Sequence, residues 1–430
     1  MSNCAESCKS RQDRASTSPG LVQRFARNLL LKSLGEIREG QLILVDQGER
    51  LEFGAQVSDL TATLVVNHPD FYRRIAFGGS IAAGESYMDG LWSCHDLTAL
   101  IRVMVRNQGA QQQMEGGLAR LTAPLQRLFH RLNDNTRRGS RKNIAAHYDL
   151  GNDFYQLFLD PTMAYSCGIY ENSHSTLQDA SLAKFDRICR KLALTPEMKI
   201  LEVGTGWGGF ALYAAEHYGC HVTTTTISQQ QYDLAAARIT AAGLGERITL
   251  LQQDYRDLRG RFDRLVSIEM IEAVGHRHLP NFFSICSERL KADGAALIQA
   301  ITMPDHHYER YLGSPDFINR YIFPGSCCPS LQAITAAVAR KTDLRLVHLE
   351  DLSSHYVRTL RQWRNNFLAN LAGVKALGFD ERFMRMWEYY LCYCEGGFAE
   401  RFTGDLQLLF SKPACRIETI LPAVTTRAPL

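Results

Sequence analysis

The sequence feature that most constrains the fold is a short apolar strand that ends in a glycine-rich turn and leads directly into a helix. It reads KILEVGTGWGGFALYAA over residues 199–215. Glycine lets a backbone approach a ligand closely and adopt conformations that other residues avoid, so Gly204, Gly206 and Gly208 are predicted to form a binding turn. Their spacing is G-x-G-x-G, which differs from the G-x-G-x-x-G of dinucleotide-binding folds.

Strands and helices alternate along the chain from Met198 onward, which predicts a mainly parallel sheet with helices on both faces. Seven strands are predicted, at residues 199–203, 221–227, 248–252, 262–268, 295–302, 344–349 and about 405–410. Helices are predicted at residues 210–218, 229–242, 331–340, about 355–371 and about 380–394. A turn at Asp293 and Gly294 should precede the fifth strand, and a long insertion at residues 303–330 should follow it. The pattern predicts an α/β fold, a Rossmann-like seven-strand methyltransferase domain with a helical cover.

The residues after the second and third strands indicate which nucleotide the turn would bind. A dinucleotide-binding fold needs an acidic residue about twenty positions after its glycines, to hold the ribose hydroxyls. Residues 223–226 are all threonine there, so a nicotinamide cofactor is not predicted. The third strand instead leads to Asp254 and Tyr255, which are suited to accept from an adenine amino group and to cover its ring. With Glu202 placed for the methionyl end, these residues predict an S-adenosyl-L-methionine site.

The rest of the chain divides into segments of different composition. Residues 1–20 are polar and are predicted to be disordered, and residues 416–430 are predicted to be a C-terminal tail. Residues 21–109 are predicted to form a small α+β domain, with strands at 41–45 and 61–66 and a helix at 97–105. Its glycine-rich stretch at residues 77–92, FGGSIAAGESYMDGLW, is interpreted as a packed loop and turn. A linker at residues 110–142 joins it to the catalytic domain, which is assigned to residues 143–415.

The linker is strongly basic, although the net charge of the whole chain is only +3. Its basic residues are Arg120, Arg127, Arg131, Arg137, Arg138, Arg141 and Lys142, against Glu115 and Asp134. Leucines and one phenylalanine recur beside them at three- and four-residue spacing, at positions 118, 121, 125, 128, 129 and 132. This pattern predicts either a helix lying on an anionic phospholipid membrane surface or an ordinary amphipathic helix packed on a neighbouring domain.

The cysteines and the apolar segments bear on where the chain works. Twelve cysteines are scattered through it, and the N-terminus lacks the apolar segment of a secretion signal, which predicts free thiols in a cytoplasmic protein. The close pairs at 4/8, 327/328 and 392/394 lack a partner pair at zinc-site spacing, so no metal site is predicted. No stretch reaches the roughly eighteen apolar residues of a spanning helix, so contact with the inner face of the membrane is predicted to be peripheral. No nucleic acid partner is predicted, and a homodimer is left open.

Several further motifs occur in a fixed order around the glycine turn. They are HYDLGNDFYQLFLDPTMAYSCGIY at residues 147–170, TIS at 226–228, QDYRDL at 253–258, FDRLVSIEMIEAVG at 262–275 and NRYIFPG at 319–325. Together they resemble the cyclopropane fatty acid synthase family, which includes the mycolic acid cyclopropane synthases and related lipid C-methyltransferases. The resemblance covers about residues 143–411, with a weaker match at residues 85–90, ESYMDG. It implies transfer of a one-carbon unit from S-adenosylmethionine to the cis double bond of unsaturated phospholipid acyl chains, forming cyclopropane fatty acids.

The resemblance also implies roles for individual residues. With the motif residues above, the predicted cofactor set is Tyr165, Ser166, Glu202, Gly204, Gly206, Gly208, Thr226, Ser228, Gln231, Asp254 and Tyr255. Cys167, Glu272 and Tyr321 match residues that line the family's bicarbonate site beside the reacting alkene. Cys394 stands where synthases of membrane phospholipids keep an active-site cysteine. In the helical cover, His355, Tyr356 and Trp363 are expected to shape the acyl pocket.

The sequence departs from the family pattern at the expected bicarbonate site. The family usually has a histidine in its fifth strand where this chain has Gln299, and many members have a histidine where it has Ala273. Glutamine donates a hydrogen bond but cannot become cationic. Bicarbonate binding and the final deprotonation are therefore left open, whereas methyl transfer is predicted.

Three other functions are left open by the residues. One is a lipid C-methyltransferase that keeps the added carbon as a methylene or methyl branch. Another is a small-molecule N-methyltransferase, which should not need the N-terminal region. The third is a lipid-binding protein that retains the cofactor fold without catalysis, which the intact glycines and Glu202 disfavour.

Overall fold

The computed structural model describes residues 20–109 and 150–418. The predictions for the N-terminal residues 1–19, for the basic linker and for most of the C-terminal tail lie outside these described residues. No helix in the described ranges is long and apolar enough to cross a membrane.

The first described region is a four-stranded sheet with three helices. The strands β1 to β4 pair in the order β2-β1-β3-β4, and β1 and β3 are parallel. Their bounds are Gln41–Asp46, Glu49–Gly54, Thr61–Val66 and Trp92–Cys94, and the helices α1 to α3 span Leu21–Leu34, Asp70–Met88 and Leu97–Arg106. Alternate side chains of β3, Ala62 and Leu64, are buried, as expected for a strand with one covered face. The strands predicted at 41–45 and 61–66 and the helix predicted at 97–105 are confirmed.

The glycine-rich stretch at residues 77–92 is mostly helix, so its interpretation as a loop and turn was wrong. Helix α2 runs through it to Met88, with a kink at Gly79, whose φ is 61°. A Cβ placed on Gly84 would lie 2.6 Å from the ring of Phe317. The glycine therefore permits a close helix contact that sequence periodicity cannot distinguish from a break in the helix.

The second region is built on a seven-stranded sheet. The strands β5 to β11 span Lys199–Val203, His221–Thr226, Ile248–Gln252, Phe262–Ile268, Leu290–Thr302, Arg345–Asp351 and Gly404–Ser411. Their order is β10-β11-β9-β8-β5-β6-β7, and β5 to β9 are parallel whereas β11 is antiparallel to β9 and β10. The predicted Rossmann-like seven-strand methyltransferase fold is confirmed. The predicted turn at Asp293 and Gly294 is wrong, because both residues lie within β9.

Ten α-helices are described in this second region. The helices α4 to α13 span Asn152–Gln156, Leu177–Lys191, Gly209–Tyr218, Gln229–Ala241, Leu279–Arg289, Asp305–Leu312, Leu331–Lys341, Ser353–Ala369, Leu371–Ala376 and Glu381–Ala399. The last three form the helical cover above the carboxyl ends of the parallel strands. In doubly wound folds this edge of the sheet is where ligands bind.

The N-terminal region packs against the helical cover through α13. A Cβ on Gly396 would lie 2.6 Å from Ile101 of α3, so the two helices touch at backbone distance. Beside this contact Glu400 accepts hydrogen bonds from Arg102 at 2.6 Å and Arg106 at 2.8 Å. The small domain is therefore held on the same face of the catalytic domain that carries the cavity described next.

Candidate active site

One large cavity, of about 1540 Å³, opens at the carboxyl edge of the seven-stranded sheet. Its polar end is formed by the glycine turn and by the residues that follow β6, β7 and β8. Its apolar end extends into the N-terminal region, where the lining residues include Leu29, Leu30, Leu42, Leu44, Leu64, Phe71, Ile75, Leu100 and Met104. The aromatic side chains of the helical cover lie between the two ends.

The glycine turn has the backbone conformation that its sequence predicts. Gly204, Gly206 and Gly208 have φ values of 103°, 53° and 85°, which favour glycine. A Cβ built on Gly206 meets no atom within 4 Å, and this residue lines the cavity. Gly208 does not line the cavity and instead caps the N-terminus of α6. The turn thus presents an open backbone surface that a ligand can approach.

Glu202 is the acidic group beneath the turn. Its side chain is buried, lines the cavity and accepts a hydrogen bond from Thr224 Oγ1 at 2.5 Å. Burial raises the pKa of Glu202 to about 8, although the Thr224 bond and the charge of Lys184 oppose that rise. Thr224 itself lies on β6, where a dinucleotide-binding fold would carry an acid.

Polar side chains also follow β6 and β7 at the same edge. Thr226 Oγ1 donates to Gln231 Oε1 at 2.8 Å, and both residues line the cavity. Asp254 lines it as well, but its two carboxylate oxygens accept from Arg256 at 2.8 and 2.7 Å. An adenine amino group that binds Asp254 would share its carboxylate with Arg256. The sequence analysis did not identify Arg256 as a residue of the site. These groups and the open turn fit the nucleoside and amino acid parts of S-adenosylmethionine.

Aromatic rings form the middle of the cavity. The hydroxyls of Tyr165 and Tyr390 are 2.9 Å apart, and the ring of Tyr356 stacks on Phe398 with centroids 4.4 Å apart. Trp363 lies behind them, 5.1 Å from the Tyr165 ring, and does not line the cavity. Cys394 lines the wall near these rings, and burial raises the pKa of its thiol.

Glu269, directly after β8, is a lining residue that sequence reasoning missed. Its Oε1 accepts from the Cys167 backbone N–H and from Gln299 Nε2, each at 2.8 Å, and its Oε2 accepts from Tyr356 Oη at 2.6 Å. Its φ is 46°, an unfavourable value for a residue with a side chain. The motif S-I-E-M-I-E contained a signal, because it places two acids three residues apart where a parallel strand ends.

Glu272, the second acid of that motif, lies in a different environment. Its Oε1 accepts from the Ile301 backbone N–H at 2.6 Å, while its buried Oε2 has no hydrogen-bond partner among the described residues. Burial, with a further contribution from the charge of Glu269, raises the pKa of Glu272 to about 8. A pKa of about 8 means that Glu272 keeps its proton near neutral pH.

The residues expected to bind bicarbonate do not form a site for it. Gln299 is wholly buried: its amide nitrogen donates to Glu269 and to Asp405 Oδ2 at 3.0 Å, and its oxygen accepts from Gln407 at 3.0 Å. The Cys167 N–H is likewise taken by Glu269. A bound anion here would also lie next to the carboxyl group of Glu269, and the ionised form of that group would repel it.

Tyr321, the third residue expected there, is turned towards the N-terminal region. Its hydroxyl donates to Glu85 Oε1 on α2 at 2.5 Å, and its ring packs on Phe317. It does not line the cavity. The bicarbonate ion that the resemblance implied is therefore not supported by the donors present.

Lys184 is a buried cation behind the site, and sequence reasoning did not single it out either. Its Nζ donates to Ser166 Oγ at 2.5 Å, and its side chain has no solvent exposure. Burial lowers the pKa of Lys184, while the nearby charge of Glu269 raises it. Lys184 and Glu269 are therefore close enough for their charges to interact, and the charge of Lys184 lowers the pKa of Glu269 against the effect of burial.

Comparison with known proteins places this geometry in a family. Residues 135–408 match the family model described as mycolic acid cyclopropane synthetase. The chain belongs to this family. It is 40% identical over 345 residues to the tuberculostearic acid methyltransferase UfaA1 of Mycobacterium tuberculosis, covering 78% of this chain and 80% of that one. It is 36% identical over 354 residues to the cyclopropane-fatty-acyl-phospholipid synthase of Escherichia coli K12, covering 82% and 88%.

Solved structures of mycolic acid cyclopropane synthases are also similar to the chain. The cyclopropane synthase MmaA2 from Mycobacterium tuberculosis superposes with a TM-score of 0.60 at 29% identity, over 63% of this chain and 98% of that one. The synthase CmaA1, in a complex with SAH and CTAB, gives a TM-score of 0.60 at 32% identity, with the same coverage. The predicted family and the predicted fold are confirmed.

The cavity collects most, but not all, of the residues that the resemblance to cyclopropane synthetases singled out. It is lined by Tyr165, Ser166, Glu202, Gly204, Gly206, Thr226, Gln231, Asp254, Tyr255, Glu272, Tyr356 and Cys394. It is not lined by Cys167, Gly208, Ser228, Gln299, Tyr321, His355 or Trp363. Ser228 caps α7, and His355 Nδ1 accepts from the Tyr170 N–H at 3.1 Å outside the cavity. Ser228 and His355 therefore make structural contacts outside the cavity.

Proposed function

We propose that the enzyme transfers the methyl carbon of S-adenosylmethionine to the cis double bond of an unsaturated phospholipid acyl chain and closes a cyclopropane ring. The observation that carries this proposal is the continuity of the cavity, which joins the glycine turn to an apolar wall in the N-terminal region. A site for a small amine would need no such wall.

The apolar end suits an acyl chain. Its leucines, Phe71 and Ile75 come from two layers of the N-terminal region, the sheet and the helices. Burying hydrocarbon against such side chains yields about 25 cal/mol per Å² of apolar surface. A long hydrocarbon chain would therefore be held with its double bond near the aromatic middle of the cavity.

The aromatic middle suits the chemistry. S-adenosylmethionine supplies an electrophilic methyl group when bound, and its transfer to an alkene leaves a carbocation on the acyl chain. The faces of Tyr165, Tyr356 and Tyr390 carry partial negative charge and stabilise a cation without reacting with it. Their hydroxyls are occupied by hydrogen bonds to one another and to Glu269, so the rings are fixed in place.

The relatives support the proposal and a second candidate. The Escherichia coli relative is named for cyclopropane formation on fatty acyl phospholipids, and that activity is proposed for this chain. The 40% identity to a tuberculostearic acid methyltransferase favours, as the second candidate, an enzyme that leaves the added carbon as a branch. Both begin with the same methyl transfer. Loss of a methyl proton then either closes the ring or, after a hydride shift, leaves a methylene branch, and a saturated methyl branch would need a reductant in a further step.

Contact with the membrane is proposed to occur through one end of α1. Leu21, Val22 and Phe25 are 85%, 56% and 61% exposed at the start of this helix. Leu29 and Leu30, one turn further along, line the cavity. An acyl chain would thus pass from a lipid surface along the helix into the site, with the enzyme bound peripherally at the inner face of the membrane.

Transfer of label from S-adenosylmethionine tests the proposal. We expect the enzyme to incorporate a deuterated methyl carbon into cis-unsaturated phospholipid vesicles and not into vesicles of a saturated phospholipid of equal chain length. A small amine methylated in place of the lipid would contradict the proposal, and so would equal incorporation into both kinds of vesicle. Mass spectrometry of the released fatty acids measures the label.

A further inference from the structure

Three features occur together at Glu269. It lines the cavity, its carboxylate accepts three hydrogen bonds, and its backbone has the φ of 46° that glycine would adopt without strain. A residue with a side chain in this left-handed region costs about 1 kcal/mol or more. This conformation holds the carboxylate in the wall of the cavity, where it accepts the hydrogen bond of Tyr356.

Two hydrogen-bond donors to Glu269, the Cys167 backbone N–H and the Gln299 side-chain amide, are groups that could otherwise bind an anion. Cys167 N–H and the Gln299 amide both donate to its Oε1, at the positions where the resemblance expected a bicarbonate site. Burial raises the pKa of Glu269, but its hydrogen bonds and the charge of Lys184 favour the ionised form. Burial and the neighbouring acid Glu269 raise the pKa of Asp405 well above its usual range.

We propose that Glu269 is the base of the reaction, a protein carboxylate standing in the place of the family's bicarbonate. This inference rests on the proposed function, because it concerns the cation left by methyl transfer. In the step, a Glu269 oxygen takes a proton from the added methyl group. The electrons of that C–H bond form the last carbon–carbon bond of the ring, and Glu269 becomes a neutral carboxylic acid. After the product leaves, water that enters the cavity accepts the proton.

The assignment also explains the glutamine at position 299. A cationic histidine there would form an ion pair with a carboxylate at position 269 and weaken it as a base. Neutral Gln299 instead donates one hydrogen bond to Glu269 and is itself oriented by Gln407. Gln299 is thus a positioning residue, and no free anion is needed.

The substitution Glu269→Gln tests the proposal, because it keeps the shape of the side chain and removes its basicity. We expect turnover to fall about 10²–10⁴-fold, the usual contribution of a general base. Affinity for S-adenosylmethionine, measured by calorimetry, should stay at the wild-type value. Glu395→Gln is the matched control, since Glu395 is equally buried and pairs with Arg361 and Arg364 but does not line the cavity. Its turnover should stay near the wild-type value.

Two further measurements separate a protein base from a bound ion. Wild-type turnover should not change when carbon dioxide and bicarbonate are removed from the buffer. Glu269→Gly suits the local φ and opens a space, so added formate should restore part of its turnover and should have no effect on Glu395→Gln. Near-normal turnover of Glu269→Gln, or a wild-type enzyme that needs bicarbonate, would overturn the proposal. A wild type that modifies no unsaturated phospholipid would instead overturn the proposed function, and this inference with it.

Discussion

Single residues of the glycine turn control whether the cofactor can bind. Gly206→Val is expected to abolish binding of S-adenosylmethionine, because its side chain would enter the open space that the turn presents. Gly243→Val is the matched control: Gly243 also has a positive φ and no neighbour within 4 Å of a Cβ, but it lies away from the cavity. Both variants carry similar backbone strain, roughly 1–2 kcal/mol. Calorimetry should detect binding to the control only, and unchanged affinity of Gly206→Val would remove the turn from the site.

The same scale shows what sequence could and could not predict about the site. Gly204, Gly206 and Glu202 were predicted correctly to meet at one place, because a strand, a turn and a helix adjacent in sequence are adjacent in space. Contacts between distant segments carry no such local signal. The hydrogen bond from Tyr321 to Glu85 joins two domains, and the one from Gln299 to Glu269 joins β9 to the residue that follows β8. Because of these contacts, Tyr321 and Gln299 do not have the positions at a bicarbonate site that the motifs implied.

At the scale of elements, α1 links the outside of the protein to its cavity. We expect the double variant Leu21→Ser and Phe25→Ser to bind phospholipid vesicles several-fold more weakly than the wild type. Because this contact is apolar, the loss should persist at high salt, where attraction between exposed charges is screened. Val57→Ser is the control, since Val57 is 94% exposed on the same domain but far along the chain from α1. Vesicle cosedimentation measures the difference, and equal binding of the double variant and the wild type would exclude α1 as the contact.

Elements were predicted well wherever hydrophobic periodicity was undisturbed. Six of the seven strands of the catalytic sheet were placed within two residues at each end, and β9 begins five residues before its predicted start. The misread stretch at 77–92 contains four glycines, which normally interrupt a helix. In the structure Gly84 instead makes room for Phe317 from the catalytic domain. Tertiary packing, which a local pattern does not contain, decided that element.

At the scale of the whole molecule, the N-terminal region is part of the site, because its side chains line the cavity. Its side chains form the apolar end of the cavity, and α13 holds it through the Gly396 contact and the Glu400 ion pairs. Removing this region would open the cavity to water on the side where an acyl chain should lie. An amine methyltransferase would tolerate that loss far better than an enzyme acting on lipid.

The structure of the product tests the central claim most directly. Cyclopropane closure and branch formation share the methyl transfer, and a barrier difference of only about 1.4 kcal/mol changes their ratio tenfold. The wild-type enzyme should be incubated with cis-unsaturated phospholipid and S-adenosylmethionine, and the fatty acid methyl esters should be examined by NMR. We predict the upfield resonances of cyclopropane ring protons as the main new signals. Vinylidene or branched methyl signals without ring protons would contradict the account.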